Sequence, residues 1–263
     1  MSLAATTGTV GDQITRLLTG FLLTTAAREL VSRFIEAEQQ SALPVLLEVL
    51  DLEAQERHAR RITRLRRASK LPPGKTFATL DEGRLPPALV RRLHELADGD
   101  FLDDATNVLA FGLPGVGKSH ALCAVGHALV DRGHAVLFMP TYSLVQELLA
   151  AKRDLELPRA LRKFDHFAVL ILDDVGYVQQ SPEEADILFT LLAERYERRS
   201  VFITSNLIFA HWDRIFRDQM ATAAAIDRLV HHSVLLEFDV SSFRTEHAKR
   251  RGKATPSRPE AAS

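Results

Sequence analysis

A glycine-rich stretch in the middle of the chain constrains the fold more than any other feature. Residues 112–119 read Gly-Leu-Pro-Gly-Val-Gly-Lys-Ser and match the pattern G-x-x-x-x-G-K-[ST] without a gap. An apolar run at residues 107–111 precedes the stretch, and apolar residues at helical spacing follow it as far as Gly133, a residue type that commonly ends helices. This order of strand, loop and helix is the context in which the pattern forms a phosphate-binding loop. These flanks disfavour the alternative, a glycine-rich turn with an incidental lysine.

Each residue type in this loop has a physical role in binding a polyphosphate. Glycines let the backbone approach phosphate oxygens closely, and the exposed N–H groups and the helix N-terminus supply positive potential. Lys118 is expected to reach the β- and γ-phosphates, and Ser119 is expected to bind Mg²⁺. The predicted nucleotide-binding residues are Gly112, Leu113, Pro114, Gly115, Val116, Gly117, Lys118, Ser119 and His120. The expected ligands are therefore ATP and Mg²⁺.

A second apolar run, at residues 167–172, ends in two aspartates. A continuous apolar run is typical of a strand buried on both faces of a parallel sheet, and ligands bind at the carboxyl ends of such strands. Asp173 is the candidate for holding Mg²⁺ through water, and Asp174 is the candidate for orienting and polarising the attacking water. The alternative is a strand-end turn in which an aspartate caps a backbone N–H. The phosphate-binding loop upstream favours the catalytic interpretation.

The pattern after these acids continues with helices and strands. Ser181, followed by Pro and two Glu, begins a helix. Three arginines are expected to close this helix at the negative end of its dipole: Arg195, Arg198 and Arg199. A strand over residues 200–204 delivers Asn206 to the same edge of the sheet, where an amide can contact a γ-phosphate and a lytic water; an Asn in a strand-to-helix turn is the alternative. A helix over residues 221–232 and a strand over residues 234–238 complete the pattern.

Three helices are predicted before the phosphate-binding loop, over residues 12–40, 44–70 and 88–97, and the second carries a dense basic face. The predicted DNA-contacting residues are Arg57, Arg60, Arg61, Arg64, Arg67 and Lys70. The first four follow i, i+3, i+4, i+7 spacing, so they share one face on which like charges repel. A polyanion would relieve this repulsion, whereas a solvated face or an acidic partner surface is the alternative. The whole chain, with 33 Lys and Arg against 34 Asp and Glu, is not a globally basic nucleic-acid binder.

Several short stretches resemble one family in both residues and order. They are Asp173-Asp-Val-Gly-Tyr177, Arg195-Tyr-Glu-Arg198, Ile203-Thr-Ser-Asn206, Trp212, Phe216, Asp227-Arg-Leu-Val-His-His232 and Ser242-Phe-Arg244. Together with the phosphate-binding loop, these stretches resemble the AAA+ ATPases of the IstB/DnaC group, and within that group the IstB-like helper ATPases of insertion-sequence transposition. The resemblance spans residues 30–247 and is most specific over residues 107–232.

This resemblance implies a cooperative homo-oligomer, an ATP-dependent ring or spiral, with nucleotide between subunits. Arg228 is similar to the arginine finger that a neighbouring subunit inserts; a salt bridge to Asp227 or another acid is the alternative. Arg244 is similar to a sensor residue that contacts the γ-phosphate. The resemblance also implies ATP-dependent binding of double-stranded DNA and stimulation of a partner transposase.

Three other functions stay open at this point. A DnaC-like replicative helicase loader has the same core, a scaffold could bind ATP only to oligomerise, and a small-molecule kinase is disfavoured because an arginine-rich lid is not evident. Many AAA+ proteins have Glu where this chain has Asp174, whose carboxylate lies about one methylene further back. Slow hydrolysis, suited to a timer or switch, is therefore a hypothesis.

The expected fold class is α/β: an AAA+ P-loop NTPase with a parallel sheet sandwiched by helices, preceded by a small α-helical domain. The predicted division is a helical N-terminal domain over residues 1–71, a connector over residues 72–106, an ATPase core over residues 107–247 and a basic flexible tail over residues 248–263. Cys123 is the one cysteine, which excludes an intramolecular disulfide and fits a reducing compartment. The chain lacks an evident signal peptide or an apolar run long enough for a membrane span, so a cytoplasmic protein is expected.

Overall fold

The computed structural model describes residues 3–176, 181–207 and 229–239. Its contacts divide the chain into two compact units, Met1–Arg64 and Leu65–Ser263. Within the described part of the chain, no helix combines the length and the apolar character that crossing a bilayer requires.

The first unit contains α1 (Leu3–Gly20), α2 (Thr24–Glu36) and most of α3 (Leu43–Ala68). The prediction of a single helix over residues 12–40 is wrong, because the chain turns between α1 and α2. Leu22 adopts a left-handed backbone with φ of 62°, and the Leu23 N–H donates to the carbonyl of Leu18 at 2.9 Å. This is the Schellman arrangement that ends helices, here formed without a glycine. The turn lets α1 and α2 pack on a small core of three buried residues: Ile14, Leu18 and Leu43.

The second unit is built on a five-stranded sheet in which every paired strand is parallel. Its strands are β1 (Asn107–Gly112), β2 (Val136–Pro140), β3 (Val169–Val175), β4 (Ser200–Ser205) and β5 (Ser233–Phe238), in the spatial order β2-β3-β4-β1-β5. The strands predicted at β1, β3, β4 and β5 are confirmed, whereas β2 was not predicted. The order makes β4 the neighbour of both β1 and β3, so the ends of these three strands lie side by side.

Helices cover both faces of this sheet. They are α4 (Pro87–Asp98), α5 (Lys118–Asp131), α6 (Thr141–Arg153), α7 (Leu157–Asp165) and α8 (Pro182–Arg195). Alternate residues of β3 enter different cores: Leu170 and Leu172 pack with α6, α7 and α8, whereas Val169 and Ile171 pack with α4 and α5. This confirms the expected α/β fold with a parallel sheet sandwiched between helices. The segment over residues 72–106 contributes five buried leucines to the core that Val169 and Ile171 share with α4 and α5. They are Leu80, Leu85, Leu89, Leu93 and Leu96.

Local sequence signals set the ends of two helices as predicted. At the start of α8, the Ser181 hydroxyl accepts a hydrogen bond from the Glu184 N–H, and the Glu184 carboxylate accepts one from the Ser181 N–H. After α5, Gly133 has φ of 91° and the next N–H, that of His134, donates to the carbonyl of Leu129. Both arrangements satisfy backbone groups that a helix end leaves without intrahelical partners.

Arg195 is the last residue of α8, and it is almost completely buried, with 2% of its surface exposed. Its guanidinium donates to the carbonyls of Phe164, Phe167 and Ser200 at 2.9, 3.0 and 3.0 Å. The prediction that three arginines close α8 is wrong for Arg198 and Arg199, which follow its end. The side chain of Arg195 instead ties α7 to the amino-terminal ends of β3 and β4.

Candidate nucleotide-binding site

The loop between β1 and α5 has a backbone that requires glycine. Gly112, Gly115 and Gly117 have φ of 151°, 83° and 102°, a region that residues with a side chain rarely adopt. A Cβ on Gly112 would lie 2.6 Å from the carbonyl oxygen of Phe238. The glycines therefore allow this loop to pass close to β5 and to turn into α5.

Lys118 begins α5 and lies at the centre of the loop. Its Nζ donates to the carbonyls of Gly112 and Leu113 at 2.7 and 2.9 Å, and to Oδ1 of Asn206 at 2.8 Å. The residue is 5% exposed, so these oxygens take the place of water around its ammonium group. Asn206 follows β4, and β4 pairs with β1, so the sheet order brings these two predicted site residues together.

The two aspartates lie at a bulge in β3. Leu172 pairs with Ile203 and Val175 pairs with Ser205, so Asp173 and Asp174 together face one residue of β4, Thr204. The Thr204 hydroxyl donates to Oδ1 of Asp173 at 2.7 Å and accepts a hydrogen bond from the Asp174 N–H at 2.9 Å.

The bulge gives the two acids different surroundings. Asp173 is half-buried, whereas Asp174 is exposed and has φ of 60°. The hydroxyl of Thr141, at the start of α6, donates to the Asp173 carbonyl at 2.9 Å and fixes the backbone there. The site prediction did not include Thr204 or Thr141. The signal for Thr204 was its position in the stretch Ile203-Thr-Ser-Asn206, two residues before a predicted site residue.

Ser119 and His120 occupy the first turn of α5, where main-chain N–H groups have no intrahelical acceptor. Ser119 is half-buried beside Lys118. The His120 ring faces away from the loop: its Nε2 lies 3.1 Å from the Thr76 carbonyl oxygen and 3.1 Å from the Thr79 hydroxyl. The contribution of His120 to a nucleotide site would therefore come from its main chain.

The described groups fit a nucleoside triphosphate with Mg²⁺. The loop provides a glycine-lined backbone, the first turn of a 14-residue helix and a buried ammonium group already held by oxygens. Hard oxygen ligands for Mg²⁺ are present in the Ser119 hydroxyl and the Asp173 carboxylate. Arg228 and Arg244 lie outside the described residues, as does the predicted tail over residues 248–263, so those assignments stay predictions.

Lys70, predicted to contact DNA, is exposed but lies beyond the end of α3 at Ala68. The basic face of α3 is exposed at the other five predicted DNA-contacting positions. It is also partly neutralised from within the helix. Glu53 accepts hydrogen bonds from Arg57 at 2.6 Å and from Arg60 at 3.3 Å, and the bond from Arg57 lowers the pKa of Glu53 below its ordinary value. The Arg57 guanidinium also stacks on the Phe21 ring, 4.3 Å from its centroid. In the second unit, Arg66 pairs with Asp131.

Comparison with known proteins gives consistent matches over most of the chain. Residues 16–251 match the model of a family described as IstB-like ATP binding protein. An insertion sequence ATP-binding protein of Sinorhizobium fredii is 42% identical over 220 residues, which cover 82% of this chain and 74% of that protein. The insertion sequence IS21 ATP-binding protein of Pseudomonas aeruginosa is 39% identical over 199 residues, covering 76% of this chain and 75% of that protein.

The fold itself has counterparts among solved structures. The structure of AMPPCP-bound DnaA from Aquifex aeolicus superimposes with a TM-score of 0.56 at 18% identity, covering 73% of this chain and 59% of that one. At this identity the likeness concerns the fold alone, that of an AAA+ P-loop NTPase. The family match covers the phosphate-binding loop, the aspartates and Asn206, and with relatives near 40% identity it shows that the chain belongs to the IstB-like ATP binding proteins.

Proposed function

We propose that this chain hydrolyses ATP, binds double-stranded DNA and stimulates the transposase of an insertion sequence. The observation that carries the hydrolytic part is the convergence of Lys118, Asn206 and Asp173 at the carboxyl edge of β1, β4 and β3. Binding alone would need the loop and its lysine. The amide of Asn206, just after β4, and the carboxylate of Asp173, on β3, add groups that can act on a γ-phosphate and an attacking water.

The phosphate-binding loop and Asp173 would bind the substrate. Lys118 would exchange the carbonyls of Gly112 and Leu113 for phosphate oxygens, since its ammonium group already lies inside the loop. The Ser119 hydroxyl and the Asp173 carboxylate would hold Mg²⁺, directly or through water. A Mg²⁺ ion held there would supply positive charge to offset the negative charge of the phosphates.

Four side chains would act on the attacking water and the transferred group. The exposed carboxylate of Asp174 would orient and polarise the water, and Asn206 would position both the water and the γ-phosphate once Lys118 releases its amide oxygen. Arg228 from a neighbouring subunit would stabilise charge on the transferred phosphoryl group, and Arg244 would contact the γ-phosphate. This arrangement requires the homo-oligomer, a ring or spiral formed with ATP.

The basic face of α3 would contact the DNA backbone without reading bases. Guanidinium groups on one exposed face repel one another, and phosphates would relieve that repulsion and release counterions. Glu53 holds Arg57 and Arg60 at the amino-terminal end of the face, so these arginines would exchange a carboxylate for phosphate. Both named relatives are insertion sequence proteins, which supports transposition as the process and a transposase as the partner.

The test is DNA binding by fluorescence anisotropy with labelled duplex, ATP and Mg²⁺ over a range of salt concentrations. Replacing Arg60 and Arg64 together with Gln should weaken binding and reduce the slope of log K against log salt by about 1.8, since each lost phosphate contact removes about 0.9. The matched control replaces Arg28 and Arg33, each 74% exposed on α2, with Gln and should keep the wild-type slope. An unchanged slope in the α3 variant would contradict the assignment.

The partner is tested separately by co-purification with the transposase of the same insertion sequence and with a replicative helicase. The proposal predicts ATP-dependent retention of the transposase. Retention of the helicase alone would show that the protein acts as a loader.

A further inference from the structure

One hydroxyl group joins the two acidic residues of the site. Thr204 is fully buried, and it faces Asp173 and Asp174 together across a bulge between β3 and β4. Such bulges are rare between parallel strands, and they occur next to active sites, where they redirect a side chain. Here the bulge leaves the Asp174 side chain exposed, whereas Val175 is buried.

The hydrogen-bond pattern fixes the direction of each bond. A threonine hydroxyl carries one hydrogen, and its oxygen can also accept. Because Thr204 accepts from the Asp174 N–H, its own hydrogen is directed to Oδ1 of Asp173, at 2.7 Å. The carboxylate therefore has one oxygen held in place, and the Asp174 N–H is satisfied although its backbone is left-handed.

We propose that Thr204 is a positioning residue for Mg²⁺: it orients the Asp173 carboxylate for the metal and holds the bulge that presents Asp174. This assignment rests on the proposed function, since it takes Asp173 as the group that holds Mg²⁺. Thr204 itself touches the acids, and it acts on the metal through Asp173. A Val at this position would keep the shape and remove both hydrogen bonds.

Ser205 provides a matched control on the same strand. It is as fully buried as Thr204, and its hydroxyl contacts main-chain groups alone among the described residues: it donates to the Val175 carbonyl at 2.9 Å and accepts from the Leu207 N–H at 3.1 Å. A purely structural role for strand-end hydroxyls would make Thr204→Val and Ser205→Ala alike in every readout.

The experiment measures binding of a fluorescent non-hydrolysable ATP analogue by full-length protein, in EDTA and over a Mg²⁺ titration. Thr204→Val should raise the Mg²⁺ concentration for half-maximal effect about tenfold, equivalent to about 1.4 kcal/mol. Its affinity in EDTA should stay within about twofold of wild type. Thr204→Ser keeps the hydroxyl, so its affinity in EDTA and its half-maximal Mg²⁺ concentration should both stay within about twofold of wild type. The same is expected of Ser205→Ala.

A second measurement tests the route through Asp173. In an Asp173→Asn background, adding Thr204→Val should cause no further change in the Mg²⁺ titration. Thr204→Cys, whose thiol is a weak donor, replaces the Val variant if that variant does not fold, and it should shift the Mg²⁺ titration in the same direction.

The assignment is overturned if folded Thr204→Val has the Mg²⁺ titration of the wild type, or if it loses as much affinity for the analogue in EDTA as in Mg²⁺. It is also overturned if Thr204→Ser does not keep the wild-type Mg²⁺ titration. A wild-type protein that binds the analogue with Mg²⁺ but does not turn over ATP would contradict the proposed hydrolysis. It would leave the role of Thr204 supported, because that readout is metal affinity.

Discussion

Replacing Arg195 with Met tests whether a buried cation stabilises the fold through backbone carbonyls. Burial lowers the pKa of this guanidinium to about 10, a shift that corresponds to a cost of about 3 kcal/mol for its charge. Against this stand three hydrogen bonds of 2.9 to 3.0 Å, each worth about 2 kcal/mol with a charged donor. Met keeps most of the stem packing, so the variant should lose about 3 kcal/mol, the difference between roughly 6 and roughly 3.

The assay is urea unfolding at neutral pH, followed by far-ultraviolet circular dichroism. The free energy of unfolding should fall by about 3 kcal/mol with little change in the slope m, since the same surface is exposed on unfolding. Arg199→Met is the control, because Arg199 is exposed just beyond α8 and should change stability by less than about 0.5 kcal/mol. A loss below about 1 kcal/mol in Arg195→Met, or an equal loss in both variants, would show that the guanidinium does not stabilise the fold through these carbonyls.

Three further changes have defined outcomes. Gly112→Ala places a Cβ 2.6 Å from the Phe238 carbonyl at φ of 151°, so it should abolish the increase in Tm that ATP gives the wild type; an equal increase would refute this. Asp174→Glu extends the carboxylate by one methylene and should raise steady-state ATP turnover, whereas a slower or unchanged rate would reject the slow-hydrolysis hypothesis. Ser181→Ala removes the N-cap of α8 and should lower the free energy of unfolding by about 1 kcal/mol in urea, with no change arguing against the cap.

The parts of the fold that depend on residues close together in the sequence were predictable from the sequence. The phosphate-binding loop, the apolar run before Asp173 and the Ser181 cap each carry their signal within a few residues. The break before α2 was missed because its left-handed residue is Leu22, where a glycine would have marked the turn. β2 was missed, although an apolar run follows Gly133.

Features that depend on strand register could not be predicted in the same way. The contacts of Thr204 with Asp173 and Asp174 follow from a bulge that sets it against two residues of β3, some 30 positions earlier in the chain. The contact between Lys118 and Asn206 follows from β4 lying beside β1. The position of Arg195 at the end of α8 was predictable, because cations are preferred at helix C-termini. Its burial was not, because it results from the packing of α7 and β4 around the side chain.

We propose that Lys118, Asn206 and Asp173 act together in ATP hydrolysis that is coupled to DNA. The most direct measurement is the steady-state ATP turnover of the purified protein with Mg²⁺, with and without double-stranded DNA, beside a Lys118→Ala control. We expect ATP turnover that rises with DNA and is lost in the Lys118→Ala control. Tight ATP binding without turnover under both conditions, or turnover that persists in Lys118→Ala, would contradict it.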